Sequence, residues 1–199
     1  MRSWTAWSGV SGFSIATRYS GTVLRNHTLP QLWLLSDARN DALLEQALRS
    51  LPEGSGFVYR HYHLAPEPRR ARFAVLAGIA REQGHRVVLS GSAGEAREWG
   101  AHGLYGPARR IGPGNGRLRI ATAHDARGIE AANAIGADAV TLSPVFPTRS
   151  HPDAPTLGPI RFRALAARAQ MPVIALGGMT AQRARELDWP RWAAIDGLV

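Results

Sequence analysis

The sequence contains no cysteine and no lysine, although it carries 24 basic and 15 acidic side chains. Without cysteine the chain has no disulfide, no thiolate nucleophile and no sulfur ligand for a metal, which fits a reducing compartment such as the cytoplasm. Without lysine it cannot form a Schiff base through a lysine amine, so a lysine-dependent aldolase mechanism is excluded. All of the basic side chains other than histidine are arginines.

Acidic side chains are scarce as well, which leaves a formal net charge of +9. The arginines are spread over helix-like segments such as 68–81 and 161–168, without interleaved stacking aromatics, so we do not expect a nucleic-acid surface. No apolar run reaches the length of a membrane span, and we expect a cytoplasmic protein. Small phosphorylated substrates are the partners that this charge favours. The pattern implies nothing about oligomeric state.

Residues 1–29 differ from the rest of the chain. No acidic residue precedes Asp37, and neither helical nor strand periodicity is sustained before residue 30. The composition is that of a transit peptide, but the continuous apolar core and the cleavage pattern of a signal are both missing. We therefore expect a disordered extension, or a start codon placed too early, followed by one domain at residues 30–199.

From Leu32 onward, short apolar runs alternate with amphipathic segments, which predicts a repeating strand–helix unit. The predicted strands are 32–37, 57–62, 86–90, 103–105, 119–123, 139–145, 173–176 and 192–195. The predicted helices are 41–51, 68–83, 94–99, 126–135, 160–169 and 181–187. A capping box of Ser92 and Glu95 opens the third helix. Eight strands in so short a chain favour a single (β/α)8 TIM barrel, with an open doubly wound sheet as the alternative.

Two helices of the ideal barrel are expected to be incomplete. Segment 106–116 is rich in Gly, Pro and Arg, so helix 4 should be absent or vestigial. The chain stops just after the eighth strand, so the last helix should be missing, truncated or supplied by another element.

The loop after the sixth predicted strand carries hydroxyl side chains. Thr148 and Ser150 flank Arg149, and hydroxyls together with loop N–H groups suit the oxygens of a phosphate. Polar groups at the carboxyl ends of parallel strands meet on one side of the fold, where barrels bind their ligands. The alternative is that Thr148 and Ser150 are ordinary turn residues after Pro147.

A glycine pair follows the seventh predicted strand. Gly177 and Gly178 precede Thr180, a good helix N-cap, so backbone N–H groups at the start of a helix can face an anion. A tight turn that needs glycine is an equally natural interpretation. Both interpretations can hold, because such a turn also lets a phosphate approach the backbone.

Strand two contributes a basic residue and two histidines. Alternation places Arg60 on one face, and His61 and His63 on the other. Arg60 could bind an anionic group through two hydrogen bonds, or it could form a structural ion pair. The two histidines have no third acidic or histidine ligand at suitable spacing, so we predict no protein metal site.

The motifs SPVFPTRSHPDAPTLG at 143–158, IALGGMT at 174–180 and LLSD at 34–37 resemble the thiamine phosphate synthase family, including its thiazole tautomerase branch. The resemblance covers residues 32–198. It implies a TIM barrel that joins hydroxymethylpyrimidine pyrophosphate to a thiazole phosphate, with magnesium assisting the departure of pyrophosphate. The phosphate-binding residues that it implies are Thr148, Ser150, Gly177 and Gly178. The residues that it implies for stabilising pyrophosphate are Arg60, Thr122 and His151.

The chain departs from the family where magnesium is expected. The family has Asn-Asp after strand three and another acid after strand four, whereas this sequence has Ser90-Gly91 and Ala108-Arg109. Because Mg²⁺ prefers carboxylate oxygens, it would have to enter with the substrate pyrophosphate. Arg109 or Arg110 is a candidate to replace its charge.

Other positions differ too. His151 stands where the family has a lysine, and Pro144 stands where the tautomerase branch has a histidine, which disfavours proton transfer at that point. Asp196 ends the eighth predicted strand, and a carboxylate facing a phosphate there would repel it by roughly 1 kcal/mol or more. Two interpretations therefore remain: a transferase of this family, or a non-catalytic or regulatory protein that binds thiazole phosphate or thiamine phosphate and has lost the magnesium site.

Overall fold

The computed structural model describes residues 29–114, 116–149 and 155–199. In these residues eight parallel strands pair in chain order, and the last pairs with the first to close a barrel. The strands are β1 (Leu32–Leu35), β2 (Gly56–Tyr59), β3 (Arg86–Leu89), β4 (Gly103–Pro107), β5 (Leu118–Ala123), β6 (Ala139–Leu142), β7 (Val173–Ala175) and β8 (Trp192–Ala194). This is the predicted TIM barrel, and the alternative of an open sheet is wrong. The predicted extension falls outside the described residues, except for Leu29.

Helices follow the strands on the outside of the barrel. They are α1 (Leu44–Ser50), α2 (Pro66–Glu82), α3 (Ala93–Glu98), α4 (Ala108–Ile111), α5 (Ala126–Ala134), α6 (Gly158–Ala166) and α7 (Ala181–Leu187). A 3-10 turn (Asp41–Leu43) leads into α1. Helix α4 is a single turn, as its Gly- and Pro-rich sequence predicted, and after β8 the chain ends in a turn. No helix in the described part of the chain is long and apolar enough to cross a membrane.

Six strands end earlier than the sequence predicted, and the difference is largest, three residues each, in β2 and β6. Strand β2 stops at Tyr59 because the chain turns at once, and His61 adopts a left-handed backbone with φ of 31° that a strand does not accommodate. Strand β6 stops at Leu142, two residues before Pro144, which has no N–H to give to a strand ladder. In both places the lost strand residues become part of the barrel mouth.

The core has two apolar layers. Strand residues that point inward fill the barrel, and those that point outward pack under the helices; in β1, Trp33 and Leu35 belong to the inner cluster and Leu34 to the outer one. Because every strand is buried on both faces, the strands are continuous apolar runs rather than alternating ones. Because these inward-pointing side chains fill the barrel, a ligand can bind only at an end of the strands.

Side-chain caps fix where three helices begin. The Ser92 hydroxyl accepts from Glu95 N–H at 3.1 Å, and the Glu95 carboxylate accepts from Ser92 N–H at 2.7 Å, which confirms the predicted capping box. Asp125 caps α5, and Thr180 caps α7. Such caps contribute about 0.5–2 kcal/mol each, and these three set the strand–helix loops at the carboxyl ends of β3, β5 and β7.

Candidate functional site

A cavity of about 820 Å³ opens among the loops at the carboxyl ends of the strands. Its volume suits a small-molecule ligand. Among the described residues, the only carboxylate in its lining is Asp196, whereas four arginines line it: Arg60, Arg149, Arg161 and Arg183. This excess of positive charge favours an anionic ligand.

The glycine pair after β7 forms one side of the cavity. Gly177 and Gly178 have φ of 94° and 62°, a left-handed region that favours glycine. A Cβ on Gly177 would lie 2.6 Å from Pro144 Cα, and one on Gly178 would overlap the carbonyl oxygen of Pro147. Neither glycine donates its N–H to another group of the described residues. Two backbone donors therefore lie at the cavity wall without an acceptor in the part of the chain that the structure describes.

The loop after β6 is folded onto this glycine pair. Phe146 N–H donates to the Gly177 carbonyl at 3.1 Å, and Val145 N–H donates to the Leu176 carbonyl at 2.9 Å. These bonds carry Thr148 to the cavity lining, on the same side as the glycines. Three of the four predicted phosphate-binding residues thus meet; Ser150 lies outside the described residues, and so does His151.

Sequence reasoning missed Arg183, which lies in the first turn of α7. Its Nη1 donates to the Gly178 carbonyl at 2.5 Å, and its guanidinium carbon lies 5.1 Å from the centre of the Phe146 ring. Arg183 lines the cavity beside the glycine pair. Its position three residues after the Thr180 N-cap could have indicated its place at the site. The first turn of a helix lies beside the loop that precedes the helix, and this loop contains the glycine pair.

Arg60 stands on another part of the cavity wall, after β2. Its Nη2 lies 3.0 Å from Asp37 Oδ2, while its buried Nε has no hydrogen-bond partner among the described residues. Its guanidinium carbon lies 5.8 Å from the centre of the Tyr62 ring. The Tyr62 and Ser90 hydroxyl oxygens are 2.5 Å apart, and either can be the donor. Arg60 therefore forms the ion pair of the second interpretation, and it also lines the cavity.

A chain of charges links Arg60 to the end of β8. Arg39 Nε lies 2.8 Å from Asp37 Oδ1, and Arg39 Nη1 lies 3.5 Å from Asp196 Oδ2. Burial alone would raise the pKa of Asp37, but hydrogen bonds from Arg39 and the charges of Arg39 and Arg60 outweigh burial, so the pKa is lower than usual. Asp196 does line the cavity, and Arg39 offsets part of the repulsion expected there.

Asn40 holds these acidic groups in place. It is almost fully buried, and its Nδ2 donates to the Leu35 carbonyl at 3.0 Å and to the Ile195 carbonyl at 2.9 Å. Its Oδ1 accepts from Asp37 N–H at 2.8 Å. The amide therefore ties the end of β1 to the end of β8, which fixes the spacing of Asp37 and Asp196.

Strand β5 and the residue that follows it supply two polar side chains at the cavity. Thr122 and His124 both line it, as the resemblance implied for Thr122. His124 Nδ1 lies 2.8 Å from the Ser143 carbonyl oxygen, so Nδ1 carries a proton and donates it. In the neutral ring Nε2 is then an acceptor, and in the charged ring it is a second donor.

The residues at the family's magnesium positions do not fit that ion. Ser90 lines the cavity but shares its hydroxyl with Tyr62, and Ala108 is buried in α4. In the described lining, the single carboxylate is the one paired with Arg39, whereas Mg²⁺ needs oxygen ligands of its own. Arg109 and Arg110, the candidates to replace its charge, are not in the cavity lining.

The prediction that His61 and His63 lack a third ligand is wrong in one respect. The fold brings Asp41 beside them, from the turn before α1, so that one ligand atom of each of the three residues lies within 4.8 Å of the others. Asp41 is 20 residues from His61 along the chain, which is why local spacing did not reveal it. Burial lowers the pKa of His61, and the hydrogen bond and charge of Asp41 act against this effect.

The fold and the cavity define a (β/α)8 barrel with a cationic, glycine-edged cavity at the carboxyl ends of its strands. A family model described as thiamine monophosphate synthase matches residues 32–189. The match spans most of the chain, and the protein belongs to this family.

Comparisons with individual proteins agree with this assignment. Over 59 residues the chain is 41% identical to the putative thiamine-phosphate synthase 2 of Aquifex aeolicus, a match that covers 30% of this chain and 32% of that protein. Over 80 residues it is 39% identical to the thiamine-phosphate synthase of Myxococcus xanthus, covering 40% of this chain and 33% of that protein. The matches thus span about a third of the length of these curated relatives.

The fold is also similar to that of a solved structure. The thiamine phosphate pyrophosphorylase from Pyrococcus furiosus superposes with a TM-score of 0.67 at 21% identity, covering 83% of this chain and 85% of that chain. Similarity at this level of identity supports the fold and leaves the activity to be argued from the site.

Proposed function

We propose that this protein is a thiamine phosphate synthase-type transferase, which condenses hydroxymethylpyrimidine pyrophosphate with thiazole phosphate and releases pyrophosphate. The observation that carries the proposal is one cavity with two sets of anion-binding groups. Gly177, Gly178 and Thr148 form one set, and Arg60 and Thr122 belong to the other. A reaction between two phosphorylated substrates requires such a pair of subsites. Membership of the family supports the same activity.

The proposed reaction needs little proton transfer from the protein. The lone pair of the thiazole ring nitrogen attacks the methylene carbon of the pyrimidine and forms the new carbon–nitrogen bond. The bond between that carbon and the pyrophosphate oxygen breaks, and its electron pair leaves with pyrophosphate. The enzyme therefore has to align the two substrates and stabilise the charge that accumulates on the leaving group.

On the leaving-group side, Arg60 is the main residue of the proposal. Its Nη2 stays on Asp37, so the guanidinium is held at the cavity wall before the ligand arrives, and we propose that the guanidinium donates to a pyrophosphate oxygen from there. Thr122 adds a hydroxyl from β5. His151 remains part of the proposal as a second donor to pyrophosphate, on the basis of sequence resemblance alone.

On the thiazole side, the phosphate is proposed to bind the N–H groups of Gly177 and Gly178, which have no acceptor among the described residues. The start of α7 follows directly, capped by Thr180, and a helix N-terminus favours negative charge. Thr148 contributes its hydroxyl, as Ser150 is proposed to do, and Arg183 adds a cation at the same edge. The recognition is of the phosphate group, not of the ring.

The described lining of the cavity offers no carboxylate pair for magnesium, so we propose that Mg²⁺ enters only as a complex with the pyrophosphate of the substrate. Arginine is the group that replaces its charge on the protein side. We also propose a cytoplasmic location, on the grounds that the chain has no cysteine and acts on small phosphorylated metabolites.

The second candidate is a non-catalytic or regulatory protein that binds thiazole phosphate or thiamine phosphate. The observation that favours it is the loss of acidic side chains at Ser90-Gly91 and at Ala108-Arg109. Incubation of the purified protein with both substrates, with and without Mg²⁺, separates the two candidates when thiamine phosphate and pyrophosphate are measured. Formation of both products supports the transferase. Binding of thiazole phosphate without product supports the second candidate, and neither binding nor product refutes both.

A further inference from the structure

Beside the main cavity, three side chains with metal-ligating atoms converge from two segments of the chain. Asp41 comes from the turn before α1, while His61 and His63 come from the loop between β2 and α2. We propose that Asp41, His61 and His63 form a binding site for a divalent transition metal of the Zn²⁺ type. The site is independent of the proposed transferase activity and differs in position and ligand type from the family's magnesium site.

The backbone places His61 in an unusual position. It is 1% exposed, and it is one of two non-glycine residues with positive φ in the described part of the chain. Its ring stacks on Tyr59, with centroids 4.7 Å apart, and lies 4.9 Å from the ring of His63. A left-handed conformation at a bulky residue costs of order 1–3 kcal/mol and persists only where the surroundings enforce it. Here it brings a buried imidazole against an exposed one.

The ring nitrogens of His61 have the arrangement that metal-binding histidines require. Nε2 lies 2.8 Å from Asp41 Oδ1, and Nδ1 lies 2.8 Å from the Ser36 hydroxyl. That hydroxyl also accepts from Arg60 N–H at 2.7 Å, and its two lone pairs can accept both bonds. Ser36 is fully buried, so it can fix the ring through Nδ1 while Nε2 binds a metal.

The charge around the cluster also suits a divalent cation. Arg72 Nε lies 2.8 Å from Asp41 Oδ1, and Arg72 Nη1 lies 2.6 Å from Glu45 Oε1. The carboxylates of Asp41 and Glu45 and the guanidinium of Arg72 together carry a net charge of −1 when both imidazoles are neutral. Arg72 Nε and His61 Nε2 both lie 2.8 Å from Asp41 Oδ1, so a bound metal would share this oxygen with Arg72 or use the other oxygen of the carboxylate.

The ligand types select the metal. Two imidazole nitrogens and one carboxylate oxygen suit Zn²⁺ and Co²⁺, whereas Mg²⁺ prefers oxygen ligands only. Three protein ligands leave a coordination position open. A cleft of about 160 Å³, lined by Ser36, Arg60 and both histidines among others, adjoins the cluster. A water molecule or a phosphate oxygen held near Arg60 could fill that position.

The test uses the full-length protein, stripped with a chelator and dialysed. Titration with Zn²⁺ by calorimetry should show about one equivalent bound, and Co²⁺ should give the visible absorption bands of a site with nitrogen ligands. His63→Ala removes an exposed ligand that the fold does not need, and Asp41→Asn keeps the size of the side chain. Each should weaken Zn²⁺ binding at least about tenfold. His102→Asn, which replaces an imidazole before β4 that is not part of the cluster, should leave the affinity unchanged.

Equal Zn²⁺ affinity in the wild type and in His63→Ala would overturn the proposal, as would a wild type that takes up no Zn²⁺. Displacement of Zn²⁺ by an equal concentration of Mg²⁺ would also contradict it. Circular dichroism of each variant verifies that the fold is intact. Since the readout is metal binding, these results do not depend on whether the protein forms thiamine phosphate.

Discussion

The guanidinium of Arg60 lies 3.0 Å from the carboxylate of Asp37, and its Nε is buried without a hydrogen-bond partner among the described residues. Asp37 holds one edge of the planar group, and the side chain still lines the cavity. This arrangement depends on the fork-like geometry of arginine, which lysine lacks.

The first prediction follows from that geometry. In Arg60→Lys we expect kcat/KM for thiamine phosphate formation to fall about ten- to hundredfold, because the charge is kept but the second hydrogen bond to pyrophosphate is lost. Steady-state kinetics with varied pyrimidine substrate measure the change. The matched control is Arg70→Lys, since Arg70 forms an exposed ion pair with Glu98 and should change kcat/KM by less than about twofold. An unchanged rate in Arg60→Lys would remove Arg60 from the mechanism.

The second prediction concerns the glycine pair and compares two glycines with nearly the same φ. Gly178 and Gly136 have φ of 62° and 61°, but a Cβ on Gly178 overlaps the Pro147 carbonyl, whereas a Cβ on Gly136 meets no atom within 4 Å. Gly136→Ala should lower the free energy of unfolding by about 1 kcal/mol through backbone strain alone. Gly178→Ala should lower it further and should also weaken binding of thiazole phosphate.

Urea unfolding and calorimetric titration with thiazole phosphate measure these two effects. Equal stability of the two variants would show that Pro147 can move away from the new Cβ with little cost in the free energy of unfolding. Unchanged affinity in Gly178→Ala would mean that the phosphate does not sit on this backbone.

The third prediction addresses the carboxylate in the cavity. Asp196→Asn should tighten thiazole phosphate binding several-fold, because it removes a negative charge and releases Arg39 from its 3.5 Å pairing. Asp188→Asn is the control, since it changes the net charge equally and lies outside the cavity lining. Isothermal titration at low salt compares the two. Equal affinities in both variants would show that Asp196 does not face the phosphate.

A fourth prediction concerns acid stability at the start of α3. The backbone hydrogen bond from Ser92 lowers the pKa of Glu95, with further lowering from Arg69, although burial opposes it. Because the folded pKa is depressed, the stabilisation is present above the unfolded pKa near 4.5 and is lost as the pH falls through the folded value. The wild type should therefore lose more stability than Glu95→Gln between about pH 5 and pH 3.

Urea unfolding at a series of pH values measures that difference. Glu98→Gln, an exposed position on the same helix, should follow the wild-type pH dependence. Parallel curves for the wild type and Glu95→Gln would contradict the predicted role of the capping box.

Much of the fold was open to prediction because its signals are local. Apolar runs that alternate with amphipathic segments from Leu32 onward predict the barrel. The Ser92 capping box and the glycine pair before Thr180 are short-range patterns, and each predicts the start of a helix. The early ends of β2 and β6 were missed because strand alternation continues in sequence after the backbone has turned.

The network at the barrel mouth could not be predicted in the same way. Asn40 bonds to Ile195 across 155 residues, and only closure of β1 on β8 brings them together. Arg39 meets Asp196 for the same reason, and Asp41 meets His61 because two neighbouring strand–helix loops lie side by side. These contacts depend on tertiary structure, so they cannot be predicted from the spacing of residues in the sequence.

We propose that one cavity holds a phosphate beside Gly177 and Gly178 and a pyrophosphate beside Arg60. A crystal structure of the protein with thiamine phosphate and pyrophosphate tests it most directly. The expected result is the ester phosphate within hydrogen-bond distance of Gly177 and Gly178 N–H and the pyrophosphate on Arg60 and Thr122. Products bound outside the cavity, or a phosphate that avoids the glycine pair, would contradict the account.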